Sequence, residues 1–548
     1  MWKYYWLNDL SREFLSKWYL TEWETAEERI LEIAKHAEKA LGIVGFWAKF
    51  EEYMSLGYYS LSTPVRCNYG NNRWLPISCF WSDIKDDMSS ILYAQAEVWM
   101  MSKMWWWTSW YFGNLRHRWA PIKNNWTSSW AVHFMQLFET LTDVVSQWSS
   151  RRWAFTPYLD IEHNDINEFL EIWTEWNAIQ KMTYWVCIWD EWMKEMIGWD
   201  EKKRTLWSKV LKRRSEIWYP YIFFKDNANN NKPECYKDMP ITHSNLCAEI
   251  SLPNNEDESF VCCLASINLL HRDDIKKTDA VQTMIMFLDT VITDFCDKID
   301  AMPEKQRYFM NRARRFAENH RALWLWVIWR HSYLQNNMIA FDSKEALNLT
   351  WNIFFEIKEE SNKASKILAD MFWPCSLCTD RRNTTLLAVA PTTSSSFILW
   401  QVSQSIEPYM SNYFIKDNAK WKTVFRNPYL DKILSNKWIN NAETWEKIRN
   451  NDWSVQSISQ LSDKEREVFK TFWEIDQKSI INQAAVRQWF IDQWQSLNLL
   501  LANNITVKEI NALHILAWEL WIKTLYYQHS FNKAQQIARK IKCIWCES

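Results

Sequence analysis

The chain runs to 548 residues, with 64 Lys+Arg set against 66 Asp+Glu, and this near balance gives no broad electrostatic case for nucleic acid or an anionic membrane as partner. Its length allows one large domain or several smaller ones with ample core. The start, MWKYYWLNDLSREF, has no basic stretch followed by an apolar core, and nowhere do about 18 uncharged apolar residues run together, so no membrane span or leader is expected and the reading is cytoplasmic.

Residues 24–56 carry apolar residues at helical spacing with charges between them, with Thr21 as the expected cap. This predicts an N-terminal helical region over residues 1–65. From about residue 60, short apolar runs alternate with amphipathic stretches such as AVHFMQLFETLTDVVSQ and AVQTMIMFLDTVITDFCDKI, the pattern of an α/β body. No repeat and no low-complexity linker divides residues 66–530. DNANNNKPECYKD, residues 226–238, reads as a polar loop leading into HSNLCAEI. If that segment is extended, Asn245, Cys247 and Glu249 share one face, which brings an amide, a thiol and a carboxylate into one space. Fifteen residues after Cys247, Cys262 and Cys263 open the strand-like run FVCCLASINLL. PTTSSS, residues 391–396, offers hydroxyls and backbone amides suited to a diphosphate. Tyr526 and Tyr527 sit together in IKTLYYQ, and residues 531–548 read as a mobile tail bearing Cys543 and Cys546.

Twelve cysteines are too sparse for a disulfide scaffold and point to catalysis, redox exchange or metal. Cys375 with Cys378, and Cys543 with Cys546, form two C-x-x-C units that raise zinc as an alternative. Their contexts differ and one lies on the tail, so no metal site is expected.

The chain holds 41 Trp and 6 Gly, whereas ordinary usage near 7% would give roughly 38 glycines. Many tryptophans stand in turn-like contexts such as NNRWLP, KNNWTSSWAV and the triplet Trp105, Trp106, Trp107, where a residue without Cβ is needed. The pattern fits a gene whose UGA codons mean glycine in its own host and were rendered here as tryptophan. Trp192 and Trp207, in helix-like contexts, read as genuine. The competing non-enzyme reading, a Trp-rich binding or scaffold protein, calls for stacking platforms at regular spacing, and no such period is visible.

In chain order, RWLPISCF, SNLCAEI, CCLASINL, RALWLWVIWRHSYLQ, NTTLLAVAPTTSSSFILWQVSQSIEP, IKTLYYQHSFNKAQ and CIWCES resemble the large subunit of ribonucleotide reductase, class I. The likeness covers nearly the whole chain, and reading the odd tryptophans as glycine improves each match. It implies a ten-stranded α/β barrel with a central finger loop behind the helical region. It further implies that Cys247 carries a thiyl radical, that Glu249 is general base and Asn245 orients the ribose, and that Cys79 and Cys262 supply the reducing equivalents. Cys263 reads as a small buried hydrophobe. Tyr526 and Tyr527 would relay the radical from a small subunit that holds the metal-radical cofactor, so this chain would need no cofactor of its own. Cys543 and Cys546 would reduce the active-site disulfide and be renewed by thioredoxin or glutaredoxin. Thr392, Thr393, Ser394 and Ser395 would hold the phosphates of a ribonucleoside diphosphate. Asp86, Arg116 and Arg151 would contact nucleotide effectors (ATP or dNTP) in a homodimer. No ATP-cone is evident ahead of the helices, so inhibition by dATP through such a domain is not expected. The alternative within the family is a class II enzyme, which uses adenosylcobalamin.

Overall fold

The computed structural model describes residues 3–103, 107–123, 126–129, 131–145, 155–399, 403–418, 421–502 and 505–530. The chain opens with helices Asp9–Trp18, Ala26–Leu41 and Phe46–Ser55. Thr25, not Thr21, caps the second: its side chain accepts the Glu28 N–H at 3.2 Å while the Glu28 carboxylate accepts the Thr25 N–H at 2.9 Å. Thr21 is spent on a turn, donating its N–H to Glu24 at 2.8 Å. Gly42 and Gly45, at φ 68° and 85°, separate the second helix from the third. The Ile30, Ile33, Ala34 and Ala37 face packs into the same core as helix Ala280–Asp300.

The barrel has two halves. Strands Cys79–Asp83, Trp107–Tyr111, Phe155–Asp160, Trp185–Ile188 and Tyr221–Phe224 pair side by side, all parallel. They are buried on both faces, as parallel strands covered by helices must be. The second half begins with Phe260–Val261, continues as Leu264–Asn268, and pairs in parallel with Trp324–Ile328. From there parallel bridges carry the ladder from Leu325 to Leu387 and from Val389 to Gln495, and Leu499–Leu501 pairs with Gln528–Ser530.

Two antiparallel junctions close the ring: Phe80 opposite Val261, and Leu525 opposite Ile222. Five parallel strands thus meet five others running the opposite way, the ten-stranded α/β barrel expected from the sequence. The segment 226–238 is more ordered than a loop, forming helix Lys225–Asn230 and the 3-10 turn Glu234–Tyr236. Tertiary bonds hold it: the Asn227 amide donates to the carbonyls of Trp518 and Ile522, and the Lys523 ammonium to that of Asn231.

Among the described residues, seventeen non-glycine positions have positive φ, and ten of them are tryptophan: Trp23, Trp119, Trp173, Trp199, Trp218, Trp329, Trp373, Trp438, Trp453 and Trp521. Left-handed backbone costs an L-residue roughly 1–2 kcal/mol. Trp373, at φ 70° and ψ 152°, occupies a region that is essentially glycine-only. Trp23 and Trp438 are each 94% exposed, so neither gains burial in return. On or beside the barrel strands, the indole N–H groups of Trp81, Trp110, Trp185, Trp324 and Trp329 are buried without a hydrogen-bond partner. Trp192 and Trp207 behave differently. Both are buried on helices, their rings pack edge to face at 6.2 Å, and the Trp207 indole donates to Asn511 at 2.7 Å.

Candidate active site

The segment 243–250 enters the barrel between its halves and is tied to both. From the first half, the Ser109 hydroxyl donates to the Ser244 carbonyl at 2.9 Å and the Tyr158 hydroxyl to the Asn245 carbonyl at 2.9 Å. From the second, the Trp494 N–H donates to the Glu249 carbonyl at 2.8 Å, the Ser496 hydroxyl to the Cys247 carbonyl, and the Thr524 hydroxyl to the Ala248 carbonyl at 3.3 Å. The segment is a tight turn, not the extended stretch expected. Asn245 closes it by accepting the Ala248 N–H on its carbonyl and the Ile250 N–H on Oδ1, and Ala248 takes φ 74°. Alternation therefore cannot place the three side chains; the turn does.

Asn245, Cys247 and Glu249 are all buried, and Asn245 Nδ2 and Glu249 Oε2 have no hydrogen-bond partner. Such groups are costly unless a ligand satisfies them. Burial, with Cys79 adding, pushes the Glu249 carboxyl up to about 8.

Cys79 begins the first barrel strand and Cys262 follows Val261 on its antiparallel neighbour, so the register that sets Phe80 opposite Val261 sets these two cysteines opposite each other. The Cys262 N–H donates to the Cys79 carbonyl at 3.2 Å, and their thiols are hydrogen-bonded. Facing residues of an antiparallel pair have Cα atoms about 4.5–5.5 Å apart, inside the range a disulfide spans. Burial and the neighbouring Cys79, Glu249 and Cys247 hold the Cys262 thiol well above its usual range, so it is protonated and able to donate hydrogen. Cys263 faces away, with Sγ 3.5 Å from the Leu288 carbonyl.

Tyr526 is buried and interacts electrostatically with Cys247 and Glu249. Its ring lies 4.5 Å from that of the half-buried Tyr527 and 4.4 Å from that of Tyr221, and Tyr219 lies 5.0 Å from Tyr221. Tyr219 and Tyr221 escaped the sequence reading. Their signal is the WYPYIFF run, but only the pairing of Tyr221–Phe224 with Thr524–Leu525 brings them to the other two.

The hydroxyl-rich segment stands at the start of the short helix Thr393–Ile398, and Thr392 Oγ1 accepts the Ser405 N–H at 2.8 Å. Asp86 and Arg116 bind each other at 2.6 Å on the surface. Arg151, Cys543 and Cys546 lie outside the described residues. No described helix is long and apolar enough to cross a membrane.

The family described as "Ribonucleotide reductase, barrel domain" matches residues 77–201, 198–376 and 380–528. A Frog virus 3 protein named "Putative ribonucleoside-diphosphate reductase large subunit" is 31% identical over 503 residues, covering 87% of each chain. A ribonucleoside-diphosphate reductase subunit alpha of Chlamydia trachomatis is 26% identical over 88% of this chain, which spans only 54% of that longer relative. Among solved structures, the Actinobacillus ureae class Id ribonucleotide reductase alpha subunit is 47% identical, covers 97% of this chain and superposes with a TM-score of 0.91.

Proposed function

The chain belongs to the ribonucleotide reductase large-subunit family, and from that premise we propose how its residues share out the reduction of a ribonucleoside diphosphate. The carrying observation is the buried cluster of one thiol on a turn, two facing thiols, and an unsatisfied amide and carboxyl beside them. A ribose supplies what those two polar groups lack. Asn245 Nδ2 donates to a sugar hydroxyl, and Glu249 accepts the 3′-hydroxyl proton. Cys247, as a thiyl radical, takes the 3′ hydrogen. The 2′ oxygen leaves as water with a proton from Cys79 or Cys262, which end as a disulfide. Held oppositely by register, they need little movement to join.

As a class I subunit the chain works with a small subunit that supplies one oxidising equivalent. Tyr527 and Tyr526 carry it inward, the half-buried ring first and the buried ring beside Cys247 second. Around this core, Thr392, Thr393, Ser394 and Ser395 bind the diphosphate. Asp86, Arg116 and Arg151 read ATP or dNTP effectors across a homodimer, and Cys543 and Cys546 pass electrons from thioredoxin or glutaredoxin.

The test is conversion of CDP to dCDP with dithiothreitol. Turnover is expected only when the small subunit of the same genome is added, and Tyr526→Phe reduces it to background because phenylalanine has no oxidisable hydroxyl. Turnover with adenosylcobalamin alone, or a fully active Tyr526→Phe, would contradict the relay.

Glu249 works as a base only when ionised. With its carboxyl held near 8, kcat/KM is expected to rise through that pH, whereas an ordinary Glu, near pH ~4.3, would leave the profile flat. Glu249→Gln removes the rise and lowers kcat by about 10²–10⁴-fold. Running both proteins with the same reductant cancels its own pH dependence. A flat wild-type profile from pH 6 to about 9 would defeat the assignment.

A further inference from the structure

Away from the catalytic cluster, the fold gathers three more cysteines. Cys375 and Cys378 lie in the turn after helix Lys344–Phe372, and Cys235 lies in the 3-10 turn Glu234–Tyr236. The Cys378 sulfur interacts electrostatically with both other thiols and with the Arg381 guanidinium. Arg381 is itself held by the Thr384 carbonyl at 2.7 Å, a carbonyl that also faces the Cys235 thiol at 3.9 Å, and Asp492 balances its charge. The Cys378 N–H donates to the Cys375 carbonyl at 3.1 Å. A turn closed in this way keeps its first and fourth Cα atoms within about 7 Å, overlapping the separation a disulfide needs. Cys375 is buried, while Cys235 and Cys378 are partly open to solvent.

We propose that Cys378 is a reactive thiolate that forms a reversible disulfide with Cys375, a redox centre on this chain independent of the Cys79 and Cys262 pair and of the tail cysteines. Cys378 is the attacking sulfur because two S–H donors and a guanidinium stabilise its anion. The same contacts hold its pKa below the usual thiol range and those of Cys235 and Cys375 above it. The oxidant is a hydroperoxide. The Cys378 thiolate attacks the distal peroxide oxygen, the O–O bond breaks, and a sulfenic acid and hydroxide form. Cys375, losing its proton, then attacks the Cys378 sulfur and expels the hydroxyl. In balance, two thiols and one hydrogen peroxide give one disulfide and two waters. Cys235 keeps its thiol and serves as hydrogen-bond donor. Among the described residues, no group of three or more His, Cys, Asp or Glu is arranged to hold a metal ion.

The experiment uses the full chain, reduced, desalted without oxygen and mapped by peptide mass spectrometry. At pH 6, iodoacetamide is expected to label Cys378 at least about tenfold faster than glutathione, and Arg381→Gln to slow that labelling. One equivalent of hydrogen peroxide is expected to give a Cys375–Cys378 disulfide that dithiothreitol reverses. In Cys375→Ser, Cys378 stops as a sulfenic acid that dimedone traps. The proposal is overturned if Cys378 labels no faster than glutathione, if it stays reduced while Cys79 and Cys262 oxidise, if the bond formed joins Cys235 instead, or if the purified protein carries stoichiometric zinc on these thiols.

Discussion

Cys247→Ser is expected to abolish deoxynucleotide formation while leaving the fold in place. The substitution changes one atom in a buried site anchored through its backbone carbonyl by Ser496, a contact the serine backbone keeps. The loss is chemical. An alcohol O–H bond is much stronger than a thiol S–H bond, so an equivalent radical is not formed at this position, and each ~1.36 kcal/mol of added barrier is tenfold in rate. CDP reduction measured beside the small subunit should fall to background, with the thermal midpoint within a few degrees of wild type. A variant keeping more than about one hundredth of the rate, under ~2.7 kcal/mol of lost stabilisation, would remove Cys247 from the reacting centre. A non-enzymatic binding protein would lose nothing measurable.

The triple variant Trp23→Gly, Trp373→Gly, Trp438→Gly is expected to be more stable than the tryptophan-bearing chain. Each position holds left-handed backbone and each side chain is at least 82% exposed. Relief of roughly 1–2 kcal/mol per site, less the ~0.4–1 kcal/mol that glycine gives back to the unfolded chain, leaves about 1.5–3 kcal/mol for three remote, additive sites. Urea unfolding reads it directly. Trp207→Gly should do the opposite, costing about 3–5 kcal/mol for the lost buried ring and roughly 1 kcal/mol more for glycine within a helix. A triple variant no more stable than its parent would leave the excess tryptophan unexplained by backbone strain. Peptide mass spectrometry of the protein from its own host then decides which residue the codons specify: glycine at Trp373 supports recoding, and tryptophan there refutes it.

The residue types of the candidate active site were legible because the chemistry is local. An amide, a thiol and a carboxylate within five positions, two upstream and downstream cysteines, and a tyrosine pair stand in fixed chain order. The tryptophan anomaly was legible for a related reason, since composition and turn context together report where a Cβ is unwelcome. Geometry was less so. The finger loop was expected to be extended and is a turn, because Asn245 satisfies the Ala248 and Ile250 N–H groups itself. The helix cap moved from Thr21 to Thr25, because two Thr-x-x-Glu patterns compete and only the second leads into the helix.

By itself, then, the sequence determined the family, the alternation of strands and helices, and which side chains are candidates for radical reduction, all of which depend on residue identity and short spacing. Only the tertiary structure decided that Cys79 faces Cys262, that Tyr219 and Tyr221 join Tyr526 and Tyr527, and that Cys235 closes on Cys375 and Cys378. Those meetings depend on strand register and barrel closure, which are set by the packing of segments hundreds of residues apart and leave no mark at either position alone.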